Sequence, residues 1–166
     1  MTVKITSVVN DMIENGSRLN AEHGLSFWIQ TEKGVVLLDT GRTAVVLSHN
    51  LKVLDFLPQH IDMLVLSHAH YEHTGGLEAF LSRNTKQTLF AHSEIFSPRY
   101  SFWQGEYRSI GLAYKKSSYL QRVVINISDL PTDIIPNIIT TAQARIPFGS
   151  SRVLLAAELA LALQMP

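Results

Sequence analysis

At 166 residues, 46% of them hydrophobic and 17% charged, the chain is long enough to bury the core of one globular domain. Lysine plus arginine and aspartate plus glutamate number 14 each, so the formal charge is zero and no basic stripe favours nucleic acid as a partner. Cysteine is absent, which excludes disulfides, thiolate metal sites and cysteine nucleophiles together and leaves any metal to nitrogen and oxygen ligands.

Residues 3–9 alternate apolar and polar side chains and predict a first strand. A polar stretch with Gly16 follows over residues 12–21 and reads as a loop. Residues 25–30 and 35–38 are two β-rich runs joined by Thr31-Glu32-Lys33-Gly34, which predicts a hairpin. Its second arm ends in Asp39-Thr40-Gly41, so a carboxylate stands at the tip of a buried strand, where it either caps the next turn or serves a site. Leu47, Leu51, Leu54 and Leu57 mark one face of a helix over residues 44–57 that Pro58 stops, with His49 on its exposed side. Met63-Leu64-Val65-Leu66 is uniformly apolar and fits a strand covered on both faces.

That strand runs into Ser67-His68-Ala69-His70-Tyr71-Glu72-His73-Thr74-Gly75-Gly76. His68 and His70 are two residues apart, so in extended chain they leave on the same face and reach one ion. A turn at Tyr71, with a helix capped at its N-terminus by Thr74, swings Glu72 and His73 back as a second donor set about 3 to 4 Å away, as in two-metal sites. Gly75 and Gly76 permit close approach at that point. The expected metal ligands are therefore His68, His70, Glu72 and His73, for one or two divalent ions.

The stretch resembles the H-x-H-x-D-H signature of the metallo-β-lactamase superfamily, with Glu72 where the family has Asp. The resemblance implies an α/β chain built as the N-terminal half of an αββα sandwich, a mixed sheet with flanking helices. It implies zinc, manganese or iron as the ion, a metal-held hydroxide as nucleophile, and Glu72 and Asp39 as catalytic acids. Asp39 then orients a ligating histidine by accepting its free N–H. Glu72 is one methylene longer than the family's Asp, which implies a weakened second ion. Ala21-Glu22-His23-Gly24-Leu25-Ser26 is similar to a segment of the synthases that join a dihydropterin to ribofuranosylaminobenzene phosphate in methanopterin biosynthesis. His23 is either a loop residue with a structural hydrogen bond or faces the site opening.

Residues 77–81 continue the helix after the motif, and residues 87–91 supply a strand that ends at His92, a turn residue or substrate contact rather than a ligand. Tyr100, Phe102, Trp103 and Tyr107 lie near Arg99 and Arg108, and either belong to the core or cover a planar small-molecule substrate while the guanidiniums hold a phosphate. Residues 121–127 and 138–141 read as further strands with a turn containing Pro131 and Pro136 between them.

The family's second half carries a further His, a bridging Asp and a last His, and no counterpart follows His92 here. Residues 152–165 are rich in Leu and Ala and predict an apolar C-terminal helix, a contact for a second copy or a partner chain. The chain thus divides into a partial metallo-β-lactamase-like domain, residues 1–146, and an atypical apolar segment, residues 147–166. No apolar run reaches the roughly 20 residues of a membrane span and no signal peptide opens the chain, so a cytoplasmic protein without a membrane partner is expected. Two functions stay open: a metal-dependent hydrolase or transferase acting on a phosphorylated pterin-like molecule, and a truncated, catalytically impaired relative that serves as a binding or assembly module.

Overall fold

Alternating and continuous apolar runs become one mixed sheet. A computed structural model describes residues 2–81, 87–112, 123–136, 138–143 and 159–163. In chain order the strands are β1 (Lys4–Val9), β2 (Ser26–Thr31), β3 (Gly34–Leu38), β4 (Met63–Val65), β5 (Gln87–Ala91), β6 (Tyr100–Trp103), β7 (Glu106–Ser109), β8 (Val123–Ile127), β9 (Thr132–Ile135), β10 (Ile138–Gln143) and β11 (Leu159–Leu163). The main sheet runs β1-β2-β3-β4-β5-β8. Its first three strands are antiparallel, the predicted hairpin included, and β3, β4, β5 and β8 are parallel. Val36, Leu37, Leu64 and Val65 are fully buried, as central strands covered on both faces require.

One face packs on helices. Leu47 and Leu51 of α1 (Ala44–Val53), with Leu77 and Phe80, close over Val8, Trp28, Leu37, Leu64, Leu66 and Leu89. The other face, formed by Ile29, Val36, Val65 and Phe90, packs against Ile134 and Ile138 of the second sheet, β11-β10-β9. Helix, sheet and second sheet are three successive layers of the αββα arrangement.

The chain departs from its local pattern in four places. Helix α1 ends at Val53 rather than at residue 57, because Asp55 takes a left-handed φ of 57°. Its N–H donates to the Lys52 carbonyl at 3.2 Å and that of Phe56 to the Leu51 carbonyl at 2.8 Å, the paired bonds that close a helix C-terminus. The buried face of α1 also includes Asn50, whose amide donates to the carbonyls of Val8 at 2.7 Å and Asn20 at 2.9 Å. After the histidine motif, helix α2 (Tyr71–Thr74) begins earlier than expected, with His70 at the N-cap position. Thr74 is inside it and donates its hydroxyl to the His70 carbonyl at 3.0 Å, so although it stands at the N-cap position of the 3-10 turn Gly75–Leu77, its side chain makes no capping bond there. The predicted turn between residues 127 and 138 contains β9.

The fourth departure is the C-terminal segment, expected as an apolar helix. Leu159–Leu163 is strand β11, paired antiparallel with β10. A short Leu/Ala run has no periodicity that separates strand from helix, and an open sheet edge with unpaired N–H and C=O groups decides the matter. The rest of the predicted helix, and the domain boundary at residue 146, lie outside the described residues. Among the described residues no helix is long and apolar enough to cross a membrane.

Candidate metal centre

The site forms where β3 and β4 end side by side. Parallel pairing of Leu38 with Val65 places Asp39 and Ser67 at adjacent strand tips, at the carboxyl edge where α/β sheets bind ligands. Asp39 is 1% exposed and has a φ of 55°, a left-handed conformation that Asp and Asn tolerate better than other side chains. Its backbone N–H donates to the Val65 carbonyl at 2.8 Å. Oδ1 of Asp39 accepts from the Ser67 N–H at 2.8 Å, and Oδ2 accepts from the Ser67 hydroxyl at 2.7 Å. The same Oδ2 lies 2.8 Å from Nδ1 of His73.

The chain then folds tightly back. Thr40 donates from its backbone N–H at 2.8 Å and its hydroxyl at 3.0 Å to the carbonyl of His73. Gly75 and Gly76 sit directly against the carbonyl oxygens of Arg42 and Thr40, leaving no room for a Cβ on either. Their close approach is thus to the backbone that follows Asp39. Gly24 has its own missing Cβ against the Glu72 carbonyl, which accepts from Leu25 N–H at 3.3 Å. In this way the 21–26 segment supports the motif with backbone. His23 points elsewhere, 3.2 Å from Asp11, and Glu22 accepts from the N–H groups of Arg42 and Thr43.

The folded motif brings its side chains together. The ring centroid of His68 is 4.6 Å from that of His70 and 4.2 Å from that of His73. Ligand atoms of His68, Glu72 and His73 all lie within 4.8 Å of one another. His70 stands beside this group, with Nδ1 3.5 Å from Oε1 of Glu72. His68 is 7% exposed; its Nδ1 is 2.9 Å from the Ser67 hydroxyl, and its buried Nε2 has no hydrogen-bond partner among the described residues. Burial, with the neighbouring charges of His73, His70 and Arg99, pushes the His68 pKa down to about 3, so its imidazole is neutral near pH 7. Burial also lowers that of His70, against the opposing pull of Glu72.

Beside the centre stands the β6–β7 hairpin. Its base is closed by the Ile110 N–H, which donates to the Arg99 carbonyl at 2.9 Å, and is tied to the motif by the Tyr71 N–H, which donates to the Ile110 carbonyl at 3.0 Å. The aromatic side chains it carries are not core: Tyr100, Phe102, Trp103 and Tyr107 are each more than half exposed. Arg99 donates to Glu94 at 2.8 Å, while its buried Nε has no partner among the described residues. His92 follows β5 and is buried, accepting from Glu94 N–H at 3.2 Å through Nδ1 and lying 3.3 Å from Asp129 through Nε2.

A buried imidazole nitrogen without a partner is costly unless something fills the position. Two imidazoles and a carboxylate whose ligand atoms lie within 4.8 Å of one another fit a divalent ion as three protein donors. A sequence profile described as the metallo-beta-lactamase superfamily matches residues 19–151. The chain belongs to the metallo-beta-lactamase superfamily. The superfamily fold implies binding of a divalent metal, and the His68, Glu72, His73 group is the candidate site for it.

Two relatives of this superfamily member come from Methanocaldococcus jannaschii. One is 7,8-dihydropterin-6-methyl-4-(beta-D-ribofuranosyl)-aminobenzene-5'-phosphate synthase, 38% identical over 99 residues, 57% of this chain and 34% of that protein. The other, an uncharacterised protein, is 29% identical over 123 residues, 73% of this chain and 46% of that protein. The chain therefore spans between about a third and a half of the length of these relatives. Among solved structures, a metal-dependent hydrolase of the beta-lactamase superfamily, Tm1679, is similar with a TM-score of 0.73 at 22% identity, covering 98% of this chain and 61% of that one. The metallo-beta-lactamase fold protein YhfI from Bacillus subtilis has a TM-score of 0.56 at 16% identity, covering 97% and 57%. These likenesses show the fold.

Ser67 escaped the sequence reading. The available signal was a hydroxyl residue immediately before the first histidine at a strand exit, a position from which it faces whatever ends the neighbouring parallel strand.

Proposed function

We propose that this superfamily member is a cytoplasmic, metal-dependent hydrolase or transferase acting on a phosphorylated, planar, pterin-like small molecule. The observation that carries the proposal is the partnerless Nε2 of buried His68, set within reach of Glu72 and His73. His68, Glu72 and His73 would hold the ion, His70 lies close enough to join them, and zinc, manganese or iron suits such nitrogen and oxygen donors. A bound divalent ion supplies Lewis-acid activation of water and offsets the negative charge that builds on a phosphoryl or acyl oxygen.

The chain's own residues do the rest. Asp39 holds His73 by its Nδ1 and keeps the ring aimed. Glu72, through its carboxylate, would also accept a proton from a water that attacks the substrate. The exposed aromatics of the β6–β7 hairpin stack on a planar ring, and Arg99, with an unpartnered Nε, attracts the phosphate. The 38% identity to a synthase whose name includes a dihydropterin and a 5'-phosphate supports that substrate class. Donors for a second ion come from outside the described residues, from a second copy of the chain or a partner chain docking through the apolar C-terminal segment.

The test is metal content. Protein purified without added metal is analysed by plasma mass spectrometry for zinc, manganese and iron, then titrated with each, and turnover is assayed on phosphorylated pterin analogues. Bound metal with turnover supports the proposal. A chain that neither retains nor takes up metal would overturn it in favour of a binding or assembly module.

A further inference from the structure

Ser67 lies between two groups of the site and contacts both. Its N–H and its hydroxyl reach the two oxygens of Asp39 at 2.8 and 2.7 Å, and its hydroxyl oxygen is 2.9 Å from Nδ1 of His68. An ionised carboxylate accepts and never donates, so the Ser67 proton is committed to Asp39. Were it turned to His68 instead, lone pairs of the hydroxyl and the carboxylate would face each other at 2.7 Å. The hydroxyl oxygen is left as an acceptor toward Nδ1.

A neutral imidazole has one N–H, and placing it on Nδ1 leaves Nε2 with a lone pair. Nε2 is the buried atom that finds no partner among the described residues. We propose that Ser67 is a positioning residue that fixes His68 in the Nδ1–H tautomer, relaying to it the acceptor character of Asp39. Asp39 fixes His73 by direct contact through the same Oδ2. One buried carboxylate thus sets the ligand-ready tautomer of two imidazoles, one of them through a serine.

The consequence for metal affinity rests on the proposed function above, whereas the tautomer belongs to the metal-free chain, and the two are measured separately. Long-range proton–nitrogen correlation spectra of the metal-free full chain near neutral pH report the His68 tautomer, assigned by comparison with His68→Gln. The parent should show Nδ1–H. Ser67→Ala should shift the population toward Nε2–H and weaken zinc binding by about 10- to 100-fold, the usual effect of losing a group that orients a ligand. Ser67→Thr, which keeps the hydroxyl, should restore both. An Nε2–H tautomer in the parent would overturn the assignment even if Ser67→Ala fails to fold, and so would a folded Ser67→Ala with tautomer and zinc affinity unchanged. A parent that shows Nδ1–H and binds no zinc would support the relay and overturn the metal site.

Discussion

Nδ1 of His73 lies 2.8 Å from Oδ2 of Asp39, a buried contact between residues 34 positions apart. The carboxylate comes from the end of β3 and the imidazole from the first turn after β4, and Thr40 binds the His73 backbone on the same side. Two separate strand exits are thereby locked into one unit. An ionised carboxylate only accepts, so Nδ1 of His73 donates to Asp39, which holds the ring in place.

Asp39→Asn tests this contact without disturbing the backbone, since Asn tolerates the left-handed φ of 55°. Asn offers a single acceptor oxygen where the carboxylate receives three contacts, from Ser67 twice and from His73. Metal affinity should fall about 10- to 100-fold while circular dichroism stays native. Chelator competition measures it, and an unchanged affinity would reduce Asp39 to a turn-capping residue.

Replacing His68 and His70 together by Ala should abolish metal binding, since each nitrogen donor is a large share of a four-coordinate site. Both rings lie beside Glu72 and His73, so loss of the pair empties the centre of half its imidazole and carboxylate donors. Plasma mass spectrometry of the double variant decides, and full metal content would refute the ligand assignment.

Glu72→Asp should raise occupancy of a second ion. In the parent, Oε1 of Glu72 stands 3.5 Å from Nδ1 of His70 and engages it. The Glu carboxylate reaches about 1.5 Å farther than the Asp of the superfamily signature, against a ligand-distance tolerance of about 0.2 Å, so the shorter side chain restores that reach and releases His70. Ions per chain, measured at saturating zinc for parent and variant, give the answer. Two fully occupied sites in the parent, or less metal in the variant, would sink the idea.

Gly75→Ala and Gly76→Ala should each destabilise the fold by about 1 to 3 kcal/mol or more, the usual cost of overpacking. The added Cβ would press on the carbonyl oxygen of Arg42 or Thr40, backbone that cannot yield without moving Asp39. Urea unfolding measures the loss. Stability within about 0.5 kcal/mol of the parent, the range of harmless surface changes, would show that the helix shifts freely.

The metal-free chain should lose stability in acid because of His68. Its pKa is held at about 3 when folded against a usual 6.5, chiefly by burial. Below about 6.5 the unfolded chain binds a proton there that the folded chain refuses, so stability declines as pH falls from 6.5 toward 3, by at most about 1.4 kcal/mol per pH unit. Above 6.5 neither state is protonated and the effect vanishes. Urea midpoints from pH 7 to pH 4, compared with those of His68→Gln, isolate the contribution; equal slopes would remove it.

Sequence by itself determined what depends on neighbours along the chain. The 31–34 reversal of the hairpin, the uniformly apolar β4 and the gathering of three histidines and Glu72 within six residues are all local, because side-chain period and turn chemistry act over a few positions. The alternation of strands with helices sufficed for the α/β class, and the histidine motif for the family likeness. Tertiary structure alone decided what depends on register. Ser67 meets Asp39 only because β3 and β4 pair in parallel with Leu38 beside Val65, and nothing in either segment states that alignment. Residues 159–163 became a strand because β10 offered an unpaired edge, and the hairpin aromatics stand in solvent because no core surface reaches them. Hydrogen bonds and packing between distant segments are settled by which edges and faces meet, a property of the whole folded chain.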